Sequence, residues 1–194
     1  MEKVNAPVEY EKLPEDHPLL SGMHLLPFYH PELSKRPDDF VFEEGNNYAK
    51  EVSAALHQKM VQLGTFGLSA NQVGLNHRVF VVGTENKRIM MFNPKVIGYT
   101  KEMVALEEAC VSMPNFSLVL QRPEGVHVTY QNENGEYQSE YYTGVSARVI
   151  QHEYDHMEGR NFSQYASNFK LKRELKRYQK KTKKMIKKIQ GQGK

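Results

Sequence analysis

The segment RVIQHEYDHMEGRNF, from Arg148 to Phe162, places two histidines four residues apart, with a glutamate directly after the first. On a helix, His152 and His156 lie one above the other on one face, so both imidazoles can bind one metal ion. Glu153 is rotated by about a third of a turn from His152, where it can exchange a proton with water beside the ion. The largely apolar ARVIQ (147–151) predicts that the helix is buried, and buried imidazoles need partners. The same string also occurs as two surface histidines, so the segment alone leaves both interpretations open.

A catalytic metal usually takes three protein ligands and keeps the fourth position for water. Downstream, Glu158 points away from the histidine pair and Glu174 lies in a basic tail. Upstream, Cys110 lies within LEEACVSMPNF (106–116). A lone cysteine among apolar neighbours is often a buried hydrophobe, so the residues alone do not decide the third ligand.

Around this segment the pattern predicts an α+β domain. Apolar residues recur at helical steps in NNYAKEVSAALHQKMVQL (46–63), which predicts an amphipathic helix begun by an asparagine cap. Strands are predicted for HRVFVVG (77–83), RIMMFNPKVIG (88–98) and a hairpin over 125–144 that turns at Asn134-Gly135, and helices for 145–157 and from about 168. We expect mixed, mainly antiparallel sheets around a central metal-binding helix, with an N-terminal helix and a basic C-terminal helix.

The length of 194 residues suits one domain, predicted as residues 1–169 with a proline-bearing arm over 1–45. Cys110 is the only cysteine, which excludes an intramolecular disulfide and suits a reducing compartment. The sequence shows no secretory leader and no run of about 18 apolar residues. We therefore expect a soluble, cytoplasmic protein without membrane contact, and a monomer.

Residues 170–194 form a tail whose charge differs sharply from the rest. They hold 12 of the 26 basic residues and one of the 23 acidic residues, which gives the tail +11 and the rest −8 within a net charge of +3. A single apolar stripe at helical spacing is formed by Leu171, Leu175, Tyr178, Thr182, Met185 and Ile189. The tail predicts a helix with one docked face, whose basic face either is solvated or binds an anionic partner.

Three segments together resemble the signature motifs of the peptide deformylases, in order and spacing. They are GLSANQVGL (67–75), EACVSMP (108–114) and QHEYDHMEG (151–159), and the similarity extends from about residue 45 to 165. This chain departs from the family pattern at Thr65, Ser69 and Ala109, where the family usually has glycine, alanine and glycine. We expect these departures to affect substrate preference and inhibitor fit more than activity.

The resemblance implies that Cys110, His152 and His156 bind one divalent metal ion, which lowers the pKa of a bound water to roughly 7. It implies Fe²⁺ as the physiological ion, with Zn²⁺, Ni²⁺ or Co²⁺ able to replace it. Glu153 would be the general acid/base. The Gln72 amide and the Val111 backbone N–H would donate to the formyl oxygen.

The resemblance also implies the substrate, an N-formylmethionyl nascent peptide that is hydrolysed to formate and a free amino terminus. Residues expected near the substrate are Gly67, Glu108, Val145, Arg148 and Val149, with Arg148 at the rim of the methionine pocket. Family members use a C-terminal helix to bind ribosomal RNA near the exit tunnel. The corresponding residues here are Lys172, Arg173, Lys176, Arg177, Lys180 and Lys183.

Two alternatives stay open from the sequence. The first is a zinc peptidase with its third ligand downstream of the histidine pair, which predicts that Cys110→Ser keeps its metal. The second is a non-enzymatic ribosome- or RNA-binding protein on a deformylase scaffold. An inactive site need not keep its chemical groups, which argues against this alternative, since five are retained together: Cys110, His152, Glu153, His156 and Gln72.

Overall fold

The computed structural model describes residues 10–191, without the side chains of Met185 and residues 188–191. In chain order its α-helices and strands are α1 (Pro18–Gly22), α2 (Tyr48–Gln62), β1 (Gly67–Ser69), β2 (Val79–Thr84), β3 (Lys87–Tyr99), β4 (Met103–Ala109), β5 (Ser117–Pro123), β6 (Gly125–Gln131), β7 (Tyr137–Thr143), α3 (Gly144–Met157) and α4 (Asn168–Gly191). The predicted α+β class is confirmed, and the predicted helices and strands are present. The sequence analysis missed β1, β4 and β5.

The strands form two antiparallel sheets. The larger sheet has the order β1-β2-β3-β6-β7, and β4 pairs with β5 in a second, two-stranded sheet. Strand β2 is buried on both faces, because Val79 and Val81 pack with α2 while Phe80 and Val82 pack with α3. This explains why β2 is a continuous apolar run rather than an alternating one. Helix α3 is thereby held at the centre of the molecule, as predicted.

Two local predictions at turns have different outcomes. The N-cap residue of helix α2 is an asparagine as expected, but Asn47 makes no side-chain cap bond, and it is Asn46 Oδ1 that accepts the backbone N–H of Tyr48 at 2.8 Å. The β6–β7 hairpin, by contrast, is longer than a two-residue turn. Asn132 Oδ1 accepts the N–H groups of Asn134 and Glu136, both at 3.0 Å, and of these loop residues only Gly135 has positive φ, at 81°.

The β4–β5 hairpin and the beginning of α4 share a small core. Buried Cys110, Phe116 and Leu118 belong to it, and the half-buried side chains that α4 packs against it are Leu171, Leu175 and Tyr178. These three positions follow the predicted apolar stripe, whereas Met185 and Ile189 lie outside the described side chains. Helix α4 is thus docked on the hairpin by its first turns.

The described part of the arm, residues 10–45, runs across the body. The Leu26 N–H donates to the Gln72 carbonyl at 2.8 Å, and the Phe28 N–H donates to the Ser112 carbonyl at 2.9 Å. The arm therefore joins the segments that precede β2 and β5. Among the described residues, no helix is long and apolar enough to cross a membrane.

Candidate metal centre

The structure brings Cys110, His152 and His156 together. One ligand atom from each of the three lies within 4.8 Å of the other two, and all three residues are buried. His156 Nε2 is 3.5 Å from Cys110 Sγ, and the two imidazole centroids are 5.3 Å apart. Cysteine and histidine are ligands of borderline and soft divalent ions, so the three predicted ligands fit one such ion.

The surroundings of the ring nitrogens of His152 and His156 support this fit. His152 Nδ1 lies 3.2 Å from Glu108 Oε2, which leaves Nε2 for a metal, and a carboxylate on the opposite nitrogen is the usual support of a metal-binding histidine. Burial lowers the pKa of His156 well below its ordinary value, so this imidazole is neutral and has a free electron pair. Its Nδ1 is buried without a partner among the described residues.

Glu153 lies beside these ligands on α3, and its Oε2 is also buried without a partner in the described part of the chain. Burial raises the pKa of Glu153 to about 7, although the neighbouring His152 acts in the opposite direction. A carboxyl group with this pKa can both accept and return a proton near neutral pH. Its placement suits the predicted role in acid/base chemistry.

The Gln72 side chain has a fixed orientation next to Cys110. Its Oε1 accepts the Ser69 N–H at 3.1 Å and the Ser69 hydroxyl at 2.9 Å. Its Nε2 consequently points towards Cys110 Sγ and Ser112 Oγ, each at 3.2 Å. Val111 follows Cys110 directly in the β4–β5 connection, so the two predicted oxyanion donors lie near the same ligand.

Gly67 faces the catalytic helix at very short range. A Cβ atom added to Gly67 would lie 2.6 Å from both Glu153 Oε1 and Val149 Cγ1, closer than carbon atoms pack. Val149 is partly buried against the sheet core, whereas Val145 is 67% exposed. Val145, Val149 and Glu153 follow one face of α3 at four-residue steps, from exposed Val145 to buried Glu153 beside buried Gly67.

Glu108 and Arg148, which were predicted to lie near the substrate, are buried and bind each other. Glu108 accepts Arg122 Nε at 2.7 Å, Arg122 Nη2 at 2.8 Å and Arg148 Nη1 at 2.9 Å, in addition to its contact with His152. Arg148 is buried and does not form the rim of an open pocket. Glu108 lies on β4 and finds its partners on β5 and α3, whereas Arg148 binds groups on β4 and β5. The sequence analysis did not recognise these two strands, and a place of either residue near the substrate stays a prediction.

Glu108 is held ionised by these partners. Burial acts to raise its pKa, but hydrogen bonds with His152 and Arg122 lower the pKa to about 2. Burial likewise acts to lower the pKa of His152, while the neighbouring Cys110 and Glu108 raise it to about 10.

The sequence analysis also missed Arg122 and Asp155. Arg122 Nη1 donates to Asp155 Oδ2 at 2.7 Å, and Tyr165 donates to Asp155 Oδ1 at 2.7 Å. Asp155 is on α3 and Arg122 is on β5, so this buried pair joins the hairpin to the metal-binding helix. The sequence offered one sign that Asp155 belongs to the site, which is its position directly before His156. That position does not reveal Arg122 as the partner of Asp155.

The departures from the family pattern are accommodated locally. The Thr65 hydroxyl donates to the Gly67 carbonyl at 3.2 Å. Ala109 is exposed, so its methyl group adds no buried volume. Ser69 holds Gln72 as described above. All three therefore lie next to site residues without displacing the proposed ligands.

The predicted ribosome-binding residues all lie on α4 and all are exposed: Lys172, Arg173, Lys176, Arg177, Lys180 and Lys183. Glu174 accepts Arg173 Nε at 2.9 Å and Arg177 Nη1 at 3.0 Å. The structure does not bring these six residues into the metal centre; they belong to a separate surface.

Residues 23–172 match the Polypeptide deformylase family. A peptide deformylase of Synechocystis is 34% identical over 124 residues, which are 61% of this chain and 66% of the relative. One of Thermotoga petrophila is 35% identical over 132 residues, 68% of this chain and 79% of the relative. The crystal structure of a Synechococcus elongatus peptide deformylase with actinonin aligns with a TM-score of 0.74 and 27% identity, covering 88% of this chain and 90% of that one.

A buried Cys/His/His ligand set with an adjacent glutamate, on this α+β fold, defines a metal-dependent hydrolase. The family match covers most of the chain. The chain belongs to the polypeptide deformylase family.

Proposed function

We propose that this protein removes the formyl group from the N-terminal formylmethionine of newly made polypeptides. The observation that carries the proposal is the convergence of Cys110, His152 and His156 with the buried Glu153, whose Oε2 has no hydrogen-bond partner among the described residues. Neither alternative from the sequence analysis is favoured, because the side chain grouped with the histidine pair is that of upstream Cys110 and the relatives are peptide deformylases.

The proposed metal ligands are Cys110 Sγ, His152 Nε2 and His156 Nε2. When bound, a divalent ion would supply Lewis acidity to water and to the formyl oxygen. We propose Fe²⁺ as the physiological ion, on the family resemblance, since the donor set itself would also accept Zn²⁺, Ni²⁺ or Co²⁺. Metal analysis of protein purified without oxygen tests the identity of the ion.

The chain's own groups account for the proton transfers. Glu153 takes a proton from the attacking water on its Oε2 and returns it to the departing amine, which a pKa of about 7 allows in both directions. The Gln72 Nε2–H and the Val111 N–H donate to the formyl oxygen as negative charge develops on it. Loss of one such donor typically costs about 100- to 1000-fold in rate.

The substrate would bind along the face of α3 that carries Val145 and Val149, next to Gly67. The absence of a side chain at Gly67 leaves the room that Glu153 Oε1 and Val149 Cγ1 occupy. Val145 and Val149 offer apolar contacts for a methionine side chain.

The reaction is tested with two peptides, formyl-Met-Ala-Ser and Met-Ala-Ser. A deformylase releases formate from the first peptide and leaves the Met–Ala bond of both intact. Cleavage of that bond would support a peptidase, and Cys110→Ser protein that still binds metal at the wild-type level would contradict the proposed ligand set.

We further propose that the basic face of α4 binds ribosomal RNA. The helix is docked through Leu171, Leu175 and Tyr178, so its exposed lysines face solvent on the opposite side. Phosphate contacts would make binding weaken steeply with salt. The test is ribosome pelleting of a variant with glutamine at 172, 176, 180 and 183, beside a control with glutamine in place of four exposed lysines elsewhere, at 12, 50, 87 and 101.

Loss of pelleting in the α4 variant alone is the expected result. Equal pelleting of the wild type and the α4 variant would contradict the proposal. Cytoplasmic location and a monomeric state stay proposals, and the second is tested by sedimentation of the purified protein.

A further inference from the structure

The three proposed ligands come from two separate elements. Cys110 directly follows β4, whereas His152 and His156 lie on α3. A metal site of this kind is preorganised only when something fixes the hairpin relative to the helix. Side chains that bridge α3 and the β4–β5 hairpin therefore determine how far the cysteine lies from the imidazoles.

Arg148 is such a bridge. It lies on α3 one turn before His152, and its side chain is 7% exposed. Its Nη1 donates to the Leu120 carbonyl and to Glu108 Oε1, both at 2.9 Å, and its Nη2 donates to the Val104 carbonyl. One guanidinium from α3 thus binds the backbone of both hairpin strands.

The same guanidinium also reaches a ligand through Glu108. Glu108 Oε1 accepts Arg148, while Oε2 faces His152 Nδ1 at 3.2 Å. Arg122 holds both oxygens of this carboxylate from β5. Arg148 therefore limits the rotation of Glu108 from a third direction, and the orientation of the His152 ring depends on that carboxylate.

The contacts do not suit a role in binding substrate. The Arg148 guanidinium is buried, and its bonds are to the protein's own carbonyl and carboxylate groups. A planar guanidinium can serve several acceptors at once, which the compact ammonium of lysine cannot do in the same geometry. This makes the identity of the residue, and not only its charge, important.

We infer that Arg148 is a positioning residue for the metal centre: it joins α3 to the β4–β5 hairpin and fixes Glu108 behind His152, so that Cys110, His152 and His156 are preorganised before metal binds. The inference rests on the proposed metal site. It concerns this chain's own contacts and does not require any particular ion.

The test is anaerobic Co²⁺ titration of metal-free protein, followed by visible absorption of the thiolate-bound ion. For Arg148→Met we expect a Kd about 10- to 100-fold above that of the wild type, the range found when outer partners of metal ligands are lost, together with altered Co²⁺ bands. The control is Arg88→Met, on β3, whose arginine side chain is 8% exposed and is paired with Glu133 in the β6–β7 loop. The control should lose stability but keep the wild-type Kd and spectrum.

Arg148→Lys is the second variant and decides the question if Arg148→Met does not fold. We expect its Kd to lie between the wild-type value and that of Arg148→Met, and at least threefold above the wild type. A wild-type Kd in folded Arg148→Met, a wild-type Kd in Arg148→Lys, or an equal loss in Arg88→Met would overturn the inference. Failure of the wild type to bind Co²⁺ would instead overturn the proposed metal site, and the inference with it.

Discussion

A Cβ atom added to Gly67 would lie 2.6 Å from Oε1 of Glu153. The glycine on β1 is thus in direct contact with the proposed acid/base on α3. The same added atom would lie 2.6 Å from Val149 Cγ1, so a side chain at position 67 would displace both neighbours.

We predict that Gly67→Ala displaces the Glu153 carboxylate and lowers kcat about 100-fold, as displacement of a catalytic group by about 1 Å does in enzymes. Steady-state kinetics on a formylated peptide measures the effect. Gly22→Ala is the control, because no atom lies within 4 Å of a Cβ at that position. Equal activity of both variants would show that the site does not depend on the close approach.

We predict that the contribution of Glu108 to the free energy of unfolding is lost in acid. Its pKa is lowered in the folded state to about 2 from 4.5, so its contribution is present above about pH 4.5 and is lost as pH falls towards 2. The shift corresponds to roughly 3 kcal/mol of the free energy of unfolding.

We therefore expect the stability difference between the wild type and Glu108→Gln to shrink over this pH range. Denaturant unfolding of the metal-free, reduced proteins measures it. Glu107→Gln, at an exposed neighbouring position, is the control and should follow the wild type. A difference that stays constant from pH 5 to pH 3 would mean that Glu108 is not held ionised by its partners.

We predict that substitution of Ser69 lowers kcat less than substitution of Gly67 does. Ser69→Ala removes the hydroxyl bond to Gln72 Oε1 but keeps the bond from the backbone N–H. One neutral hydrogen bond is worth about 1 kcal/mol, so we expect kcat to fall about fivefold with little change in KM. The control is Ser53→Ala, which removes a buried hydroxyl that donates to the Ala49 carbonyl within α2 and should keep the wild-type kcat. An unchanged kcat in Ser69→Ala would show that this hydroxyl does not position Gln72.

The docking of α4 predicts a position-dependent effect on stability. Leu175 is partly buried against the core of the hairpin, whereas Ile186 is 47% exposed on the same helix. We expect Leu175→Ala to lower the free energy of unfolding by about 1 to 2 kcal/mol and Ile186→Ala to leave it nearly unchanged. Equal effects of the two would indicate that α4 is not anchored at its first turns.

The sequence predicted the ligands better than the groups around them. The histidine pair and Glu153 follow from residues four apart on one helix, which is a local relation. Cys110 followed from the family resemblance. Helical periodicity also predicted α2, α3 and the docked face of α4.

The surroundings of the ligands depend on strand pairing that no local pattern specifies. Glu108 and Arg148 were expected beside the substrate. The pairing of Val104 with Arg122 and of Leu106 with Leu120 in β4–β5 places both in a buried network that the sequence analysis did not recognise. Charged residues in a sequence are usually exposed. Their burial here is possible because each finds partners from another element.

The most direct test of the central claim is formate release from formyl-Met-Ala-Ser by the wild type and by Glu153→Gln, with equal metal content verified in both. We predict turnover by the wild type and a loss of about 100- to 10,000-fold in the variant, the range expected for general acid/base catalysis. Equal release by both proteins, or no release by metal-loaded wild type, would contradict the account.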